Sequence, residues 1–261
     1  MNIFEAILLG LIQGLTEFLP VSSSGHLEIG KALLGISFEE NLLFTVVVHG
    51  ATVLSTIVVF YSEIKVLMLE GINFKMNDSK KYLFKIAISM IPVIVVGLFF
   101  KEKIDSFFGG DIRFVGFMLL ITASLLGVTQ FVKREGVKNI PIVDAFIIGV
   151  AQALAVLPGI SRSGATISTA VLLGNKKDEV ARFSFLMVLI PIIGINILAL
   201  KDIGTLNIQA DSIWILVAGF IAAFISGLIA CRWMIRIVKK GKLIYFAIYC
   251  ALLGSLAIFF I

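Results

Sequence analysis

Two polar clusters set in an otherwise apolar chain carry residue types suited to phosphate chemistry. The first supplies a carboxylate, hydroxyls and an imidazole in Glu17, Ser22, Ser23 and His26. The second, Gly159, Ser161, Arg162, Ser163 and Thr166, supplies a glycine, hydroxyls and a guanidinium. A planar guanidinium matches phosphate oxygens bidentately. At mid-membrane depth an Arg costs about 2.5–3.5 kcal/mol on insertion scales and needs a partner there. That partner is either a phosphate or Glu17 in a structural pair. Glu17 could serve as a general base, hold a divalent cation through oxygen, or neutralise Arg162. Gln13 lies one helical turn before it and projects from the same face. His26 follows the serines closely enough to activate a hydroxyl or protonate a leaving oxygen, with a hydrogen-bonded structural role as the plainer alternative. His49 is expected as a neutral imidazole bonded to a neighbouring helix, with orientation of a site residue as the sharper reading. Glu28 and Lys31 read as the solvated end of a half-helix. The serines alone are weak evidence, since Ser and Gly commonly pack membrane helices.

The elements that hold these residues must be helices in lipid. The chain of 261 residues is 59% hydrophobic and 15% charged, with a mean hydropathy of +1.06, more apolar surface than one soluble core can hide. Six stretches reach the roughly 20 residues needed to span: 42–61, 82–100, 113–131, 181–200, 213–233 and 242–261. None alternates with period two, which argues against a barrel. The segment 1–18 lacks a basic start and carries Glu5 and Glu17, so it is expected to be retained rather than cleaved as a signal peptide. Cys231 and Cys250, in apolar helical context, read as small core residues. The net charge of +5 marks a membrane side rather than a nucleic-acid partner.

Both clusters sit in one repeated pattern. Residues 10–35, GLIQGLTEFLPVSSSGHLEIGKALLG, pair with residues 149–174, GVAQALAVLPGISRSGATISTAVLLG. Gln13 falls opposite Gln152, Pro20 opposite Pro158, Ser22 opposite Ser161 and Gly25 opposite Gly164. Proline breaks each helix and a serine caps the next. Backbone that leaves the helix inside a membrane must be satisfied by protein, water or a polar ligand, and helix amino termini attract anions. Each copy is one interrupted segment followed by three spans, so the copies run in opposite orientations. The expected fold is therefore all-α and polytopic, a single domain of six transmembrane helices and two re-entrant hairpins. Its inverted-topology repeats cover about 1–131 and 140–261, with the two Ser/Gly loops facing each other near the midplane. Alternate loops carry sixteen basic residues against five. The first group includes Lys75, Lys133 and Arg134 and is expected to be cytoplasmic, with both termini outside.

At these residues the chain resembles the undecaprenyl-diphosphatase family, also called bacitracin-resistance proteins. The resemblance spans essentially the whole length. It rests on Gln13 to His26, an acidic-or-Gln position followed after three residues by Glu and then Pro-Val-Ser-Ser-x-Gly-His, and on Pro158 to Thr166, Pro-Gly-x-Ser-Arg-Ser-x-x-Thr. It implies a multi-pass enzyme of the bacterial plasma (inner) membrane that hydrolyses undecaprenyl diphosphate to undecaprenyl phosphate and inorganic phosphate. That reaction recycles the lipid carrier of peptidoglycan synthesis and confers bacitracin resistance, because the antibiotic sequesters the diphosphate lipid. Gln13, Glu17, Ser22, Ser23, His26, Ser161, Arg162 and Thr166 are the site residues implied. Many members carry Glu where this chain has Gln13, which leaves Glu17 as the only carboxylate of that pair and weakens schemes with two metal-binding acids. On this expectation Arg162, Ser161, Ser163, Thr166 and the helix amino termini hold the terminal phosphate, aided by a divalent cation, Mg2+ or Ca2+, near Glu17. The attacking oxygen belongs either to Ser22 or Ser23 or to a water activated by Glu17. The partners expected are the polyprenyl diphosphate lipid and the bilayer, with a homodimer left open and no nucleic acid. A polyprenyl-phosphate transporter or flippase on the same repeat, and a lipid-binding scaffold, are the rival readings.

Overall fold

The computed structural model describes residues 1–36, 42–72, 76–108, 110–132, 136, 138–203 and 210–260; Lys75, Lys133 and Arg134 lie outside them. All regular structure among the described residues is helical, apart from an isolated bridge between Lys138 and Asn175. The helices are α1 (Ile3–Phe18), α2 (Ser23–Leu34), α3 (Leu42–Val59), α4 (Tyr61–Gly71), α5 (Asp78–Phe99), α6 (Lys101–Asp105), α7 (Ile112–Val128), α8 (Ile142–Leu154), α9 (Arg162–Leu172), α10 (Lys177–Ile203), α11 (Ala210–Lys240) and α12 (Ile244–Phe260).

Of the expected spans, 78–99, 112–131 and 213–240 are long and apolar enough to cross a membrane. The stretch 42–61 belongs to a helix pair bent by 77° into α4, which makes a fourth span if the pair is taken as one. The apolar run ends there at Tyr61, Glu63 and Lys65. The last stretch forms a shorter apolar helix of 17 residues, α12, and α10 carries the remaining one. The outward face is apolar: Phe4, Leu98, Phe99, Phe131 and Phe259 are each more than 70% exposed, as a lipid solvent requires. Cys231 and Cys250 are free and buried, as expected.

The interruptions fall where the prolines place them. Pro20 lacks an N–H and disfavours helical backbone at the residue before it, so α1 ends at Phe18 and Leu19 is extended. Ser22 then caps α2 by accepting from the Gly25 N–H at 3.2 Å. In the second copy α8 ends before Pro158, and Ser161 caps α9 by accepting from the Gly164 N–H at 3.0 Å.

Helices from the first and second halves of the chain pack on one another. Helix α1 lies on α11 and, correspondingly, α8 on α5; α7 lies on α12 and α3 on α10. Glycines at matched positions make these contacts close. A Cβ at Gly10 would stand 2.4 Å from the Gly219 carbonyl oxygen, and one at Gly149 would stand 2.3 Å from that of Ser89. Gly116 and Gly254 face each other, each leaving no room for a Cβ against the other's carbonyl oxygen, 2.8 Å away.

Candidate active site

The break that ends α1 carries Glu17 to the start of both short helices. Its carboxylate is 8% exposed and is held from both copies. Arg162, the first residue of α9, donates from Nη2 to Oε1 at 2.9 Å. Ser23, the first residue of α2, donates from Oγ to Oε2 at 2.5 Å. Ser23 and Arg162 occupy aligned positions in the two similar sequence stretches, so the first residues of the two short helices converge on a single carboxylate. Gln13 Nε2 donates to the same Oε2 at 2.9 Å, as their spacing on α1 predicts. Gln13 is fully buried, and its Oε1 has no partner among the described residues.

The hydroxyls divide by what they bond. Ser22 and Ser161 are helix caps. Ser163 Oγ donates to the Leu19 carbonyl at 3.1 Å, tying α9 to the first break. Thr166 Oγ1 donates back to the Arg162 carbonyl at 2.9 Å. Among these candidates it is Ser23 whose hydroxyl donates to a carboxylate, the arrangement that a general base and its nucleophile require. Ser22 holds a positive φ of 70°, outside the range that most L-residues adopt.

His26 shows the hydrogen bonds of the plainer of its two readings. Nδ1 lies 2.8 Å from the Ser22 carbonyl oxygen and Nε2 lies 2.7 Å from the Tyr249 hydroxyl. Both ring nitrogens are thus engaged away from the Ser22 and Ser23 hydroxyls. His49 bonds its own helix rather than a neighbour, with Nδ1 2.8 Å from the Thr45 carbonyl oxygen. Its Nε2 points to Glu17 Oε2 at 4.0 Å. Glu28 and Lys31 are not solvated: they are 6% and 5% exposed, because α2 lies inside the protein against α1 and α7. Lys31 Nζ donates to Thr45 Oγ1 at 3.2 Å.

The two loops touch. A Cβ on Gly25 would stand 3.1 Å from Gly159 Cα, and Thr122 on α7 stitches the second loop by accepting from the Ser161 N–H and donating to the Gly159 carbonyl, both at 3.0 Å. Gly159 has φ of +97°, and a Cβ there would meet Met118 Cβ and the Val115 carbonyl oxygen at 2.6 Å. Gly159→Ala is therefore expected to destabilise the protein by about 2–4 kcal/mol. Thermal unfolding in detergent checks this, and an unchanged midpoint would contradict it.

A narrow cavity of about 20 Å³, room for one water, lies beside the carboxylate, lined by Glu17, Arg162, Ser163, Thr166, Thr52, Thr56 and apolar side chains including Phe18 and Phe185. A larger cavity of about 200 Å³ at Thr129, Gln130, Asn175 and Lys177 contains none of the candidate residues. Phe18 and Phe185 stack edge to face with centroids 5.9 Å apart. This apolar wall strengthens the electrostatic interactions of the ion pair.

The residues present do not fit a resident divalent cation. Both Glu17 oxygens already accept hydrogen bonds, one of them from a guanidinium. No group of three or more His, Cys, Asp or Glu side chains able to hold a metal ion occurs among the described residues.

His49, Thr122 and Tyr249, with Thr52, Thr56 and Phe185 of the cavity wall, are among the neighbours of the site that sequence reasoning either left secondary or passed over. His49 had a signal in its mid-span position. Thr122 and Tyr249 had none, since neither lies in a motif.

The family described as Bacitracin resistance protein BacA matches residues 6–256 of the chain. The chain is 56% identical over 260 residues to an undecaprenyl-diphosphatase of Bacteroides fragilis, covering 99% of this chain and 98% of the relative. It is 57% identical over 264 residues to one of Christiangramia forsetii, covering 100% and 98%. To one of Alkaliphilus metalliredigens it is 37% identical over 273 residues, covering 100% and 99%.

Proposed function

The chain belongs to the bacitracin resistance protein BacA family, and from that premise we propose that it hydrolyses undecaprenyl diphosphate to undecaprenyl phosphate and inorganic phosphate. The observation that carries the reading is the buried Glu17 carboxylate, bonded on one oxygen by Arg162 and on the other by the Ser23 hydroxyl. Phosphoryl transfer depends mainly on positioning and charge neutralisation. Arg162 leaves Glu17 in part to bind the terminal phosphate, joined by Ser163, Thr166 and the amino termini of α2 and α9, whose first N–H groups have no partner within the helix. Ser161, Ser22 and Gly159 shape those termini. The head group needs more room than the present cavity of about 20 Å³, so substrate binding opens the site between the loops.

Ser23 Oγ attacks the terminal phosphorus while its proton passes to Glu17 Oε2. The bond to the bridging oxygen breaks, and undecaprenyl phosphate leaves. A water then attacks the phosphoserine, and inorganic phosphate departs as the proton returns to Ser23. The 2.5 Å bond between Ser23 and Glu17 favours this route over direct attack by water. A divalent cation, Mg2+ or Ca2+, bound with the diphosphate near Glu17 would supply charge neutralisation there, the described residues alone forming no cluster that could hold it. The transporter reading rests on the repeat alone, and the names of the relatives favour the phosphatase.

We read the chain as a multi-pass protein of the bacterial plasma (inner) membrane with basic loops cytoplasmic and both termini outside; its long apolar helices support the membrane and the uneven distribution of basic residues supports the orientation. The exchange of partners between α1 with α11 and α8 with α5, and the reciprocal contact of Gly116 with Gly254, support an inverted repeat of six spans and two re-entrant hairpins. The purified protein in detergent is expected to release inorganic phosphate from undecaprenyl diphosphate, to stop when divalent cations are chelated, and to resume when Mg2+ or Ca2+ is restored. No release with cation present would overturn the enzyme reading, and release unaffected by chelation would remove the cation from it.

A further inference from the structure

We propose that Tyr249, on α12, is a positioning residue for the reaction: its hydroxyl holds His26 Nε2 and so orients the imidazole that the first copy presents to the substrate. The inference rests on the phosphatase reading for its kinetic consequence, and on hydrogen-bond geometry for the contact.

A backbone carbonyl can only accept. Nδ1 of His26, 2.8 Å from the Ser22 carbonyl oxygen, must therefore carry the hydrogen. In the neutral ring Nε2 is then the basic nitrogen, and the Tyr249 O–H donates to it at 2.7 Å. The rings are nearly parallel, with an interplanar angle of 9° and centroids 5.5 Å apart. With both nitrogens bonded on opposite sides, rotation of the ring breaks a hydrogen bond. The next residue on α12 reinforces the geometry, because Cys250 Sγ donates to the Pro20 carbonyl at 3.8 Å. Helix α12 thus touches both the break that ends α1 and the histidine that follows it.

The hydroxyl also marks a place. An oxygen 2.7 Å from Nε2 stands where a water or phosphate oxygen must stand to exchange a proton with His26. Tyr249 is 46% exposed, so the side chain that holds this place lies at the protein's surface rather than within its core. Two side chains of the first cluster thereby have a partner from the second half of the chain: Arg162 for Glu17 and Tyr249 for His26.

The test uses the full-length protein in detergent, labelled with ¹⁵N-histidine. The chain has two histidines, and His26→Gln assigns the signals by removing one. Wild type is expected to place the hydrogen of neutral His26 on Nδ1. In Tyr249→Phe, the Nε2 resonance moves toward the value of an unbonded ring nitrogen. In the same variant kcat falls about 10- to 100-fold, the scale of a misplaced catalytic group, while KM stays within about twofold. Tyr249→Phe added to His26→Gln produces no further loss. A hydrogen on Nε2 in the wild type, an unmoved His26 resonance in Tyr249→Phe, or additive losses in the double variant would each overturn the proposal. The wild-type spectrum alone decides the tautomer should the variant fail to fold. A wild type that releases no phosphate would defeat the phosphatase reading but leave the spectroscopic outcome intact.

Discussion

Arg162→Ala is expected to lower phosphate release by about 10³-fold, with kcat carrying most of the loss. Two effects act together. The guanidinium is the cationic side chain bonded to the Glu17 carboxylate, and the developing charge of the transferred phosphoryl group loses its fixed counter-charge without it. Removing it also leaves the buried Glu17 carboxyl beside Phe18 and Phe185 without its charge partner, and breaking a buried pair in this way costs about 3–5 kcal/mol. Arg162→Lys separates them: it restores a charge but not the planar fork that bonds two oxygens at once. The lysine variant is therefore expected to recover most of the thermal stability and little of the rate. Steady-state kinetics and thermal unfolding of both variants in detergent read the difference. A large fall in unfolding temperature for Arg162→Ala with kcat within tenfold of wild type would mean that the pair is structural only.

Glu17→Gln is expected to be nearly as severe, about 10²–10⁴-fold in kcat, the range for loss of a positioned general base. The substitution keeps the size of the side chain, so the helix break and the cavity remain. What it removes is the proton acceptor of Ser23 and the negative charge that restrains Arg162 before substrate arrives. Substrate binding is expected to hold or tighten, because the amide no longer competes with phosphate for the guanidinium. The same variant tests the covalent route. Rapidly quenched wild-type enzyme turning over labelled substrate is expected to carry phosphate on Ser23, and Glu17→Gln and Ser23→Ala are expected to carry none. Full turnover by wild type with no labelled serine at any time would exclude the covalent route and leave direct attack by water. A Glu17→Gln variant with near-normal kcat would dismiss the carboxylate as base.

Much of this site is legible in the linear chain because its signals are local. Pro20 and Pro158 stand at helix breaks because a Ser/Gly cluster follows each, whereas Pro92 and Pro191 lie inside α5 and α10, and Ser22 and Ser161 cap the following helices through bonds that reach only three residues. The one-turn spacing of Gln13 and Glu17 brings their side chains together on any helix. Hydropathy likewise marks the apolar stretches, though it passes over the 77° bend beyond Val59. It also misjudges Glu28 and Lys31, since a charged residue on a short helix reads the same whether that helix ends in water or inside protein.

The matched residue types of the two clusters also announce in advance that the chain carries two diverged copies of one broken helix. Which of those residues meet is a different matter, settled by packing between distant segments. Arg162 reaches Glu17 across 145 positions and Tyr249 reaches His26 across 223. Both contacts exist because glycine-lined helices of one copy approach the backbone of the other, bringing the two loops together. The same packing gives Ser23 the carboxylate and leaves Ser22 as a cap, a division that two adjacent serines in a sequence cannot reveal. Composition and spacing thus dictate the chemistry available, while close helix contacts, energetic only when distant backbones meet, assign each group its partner.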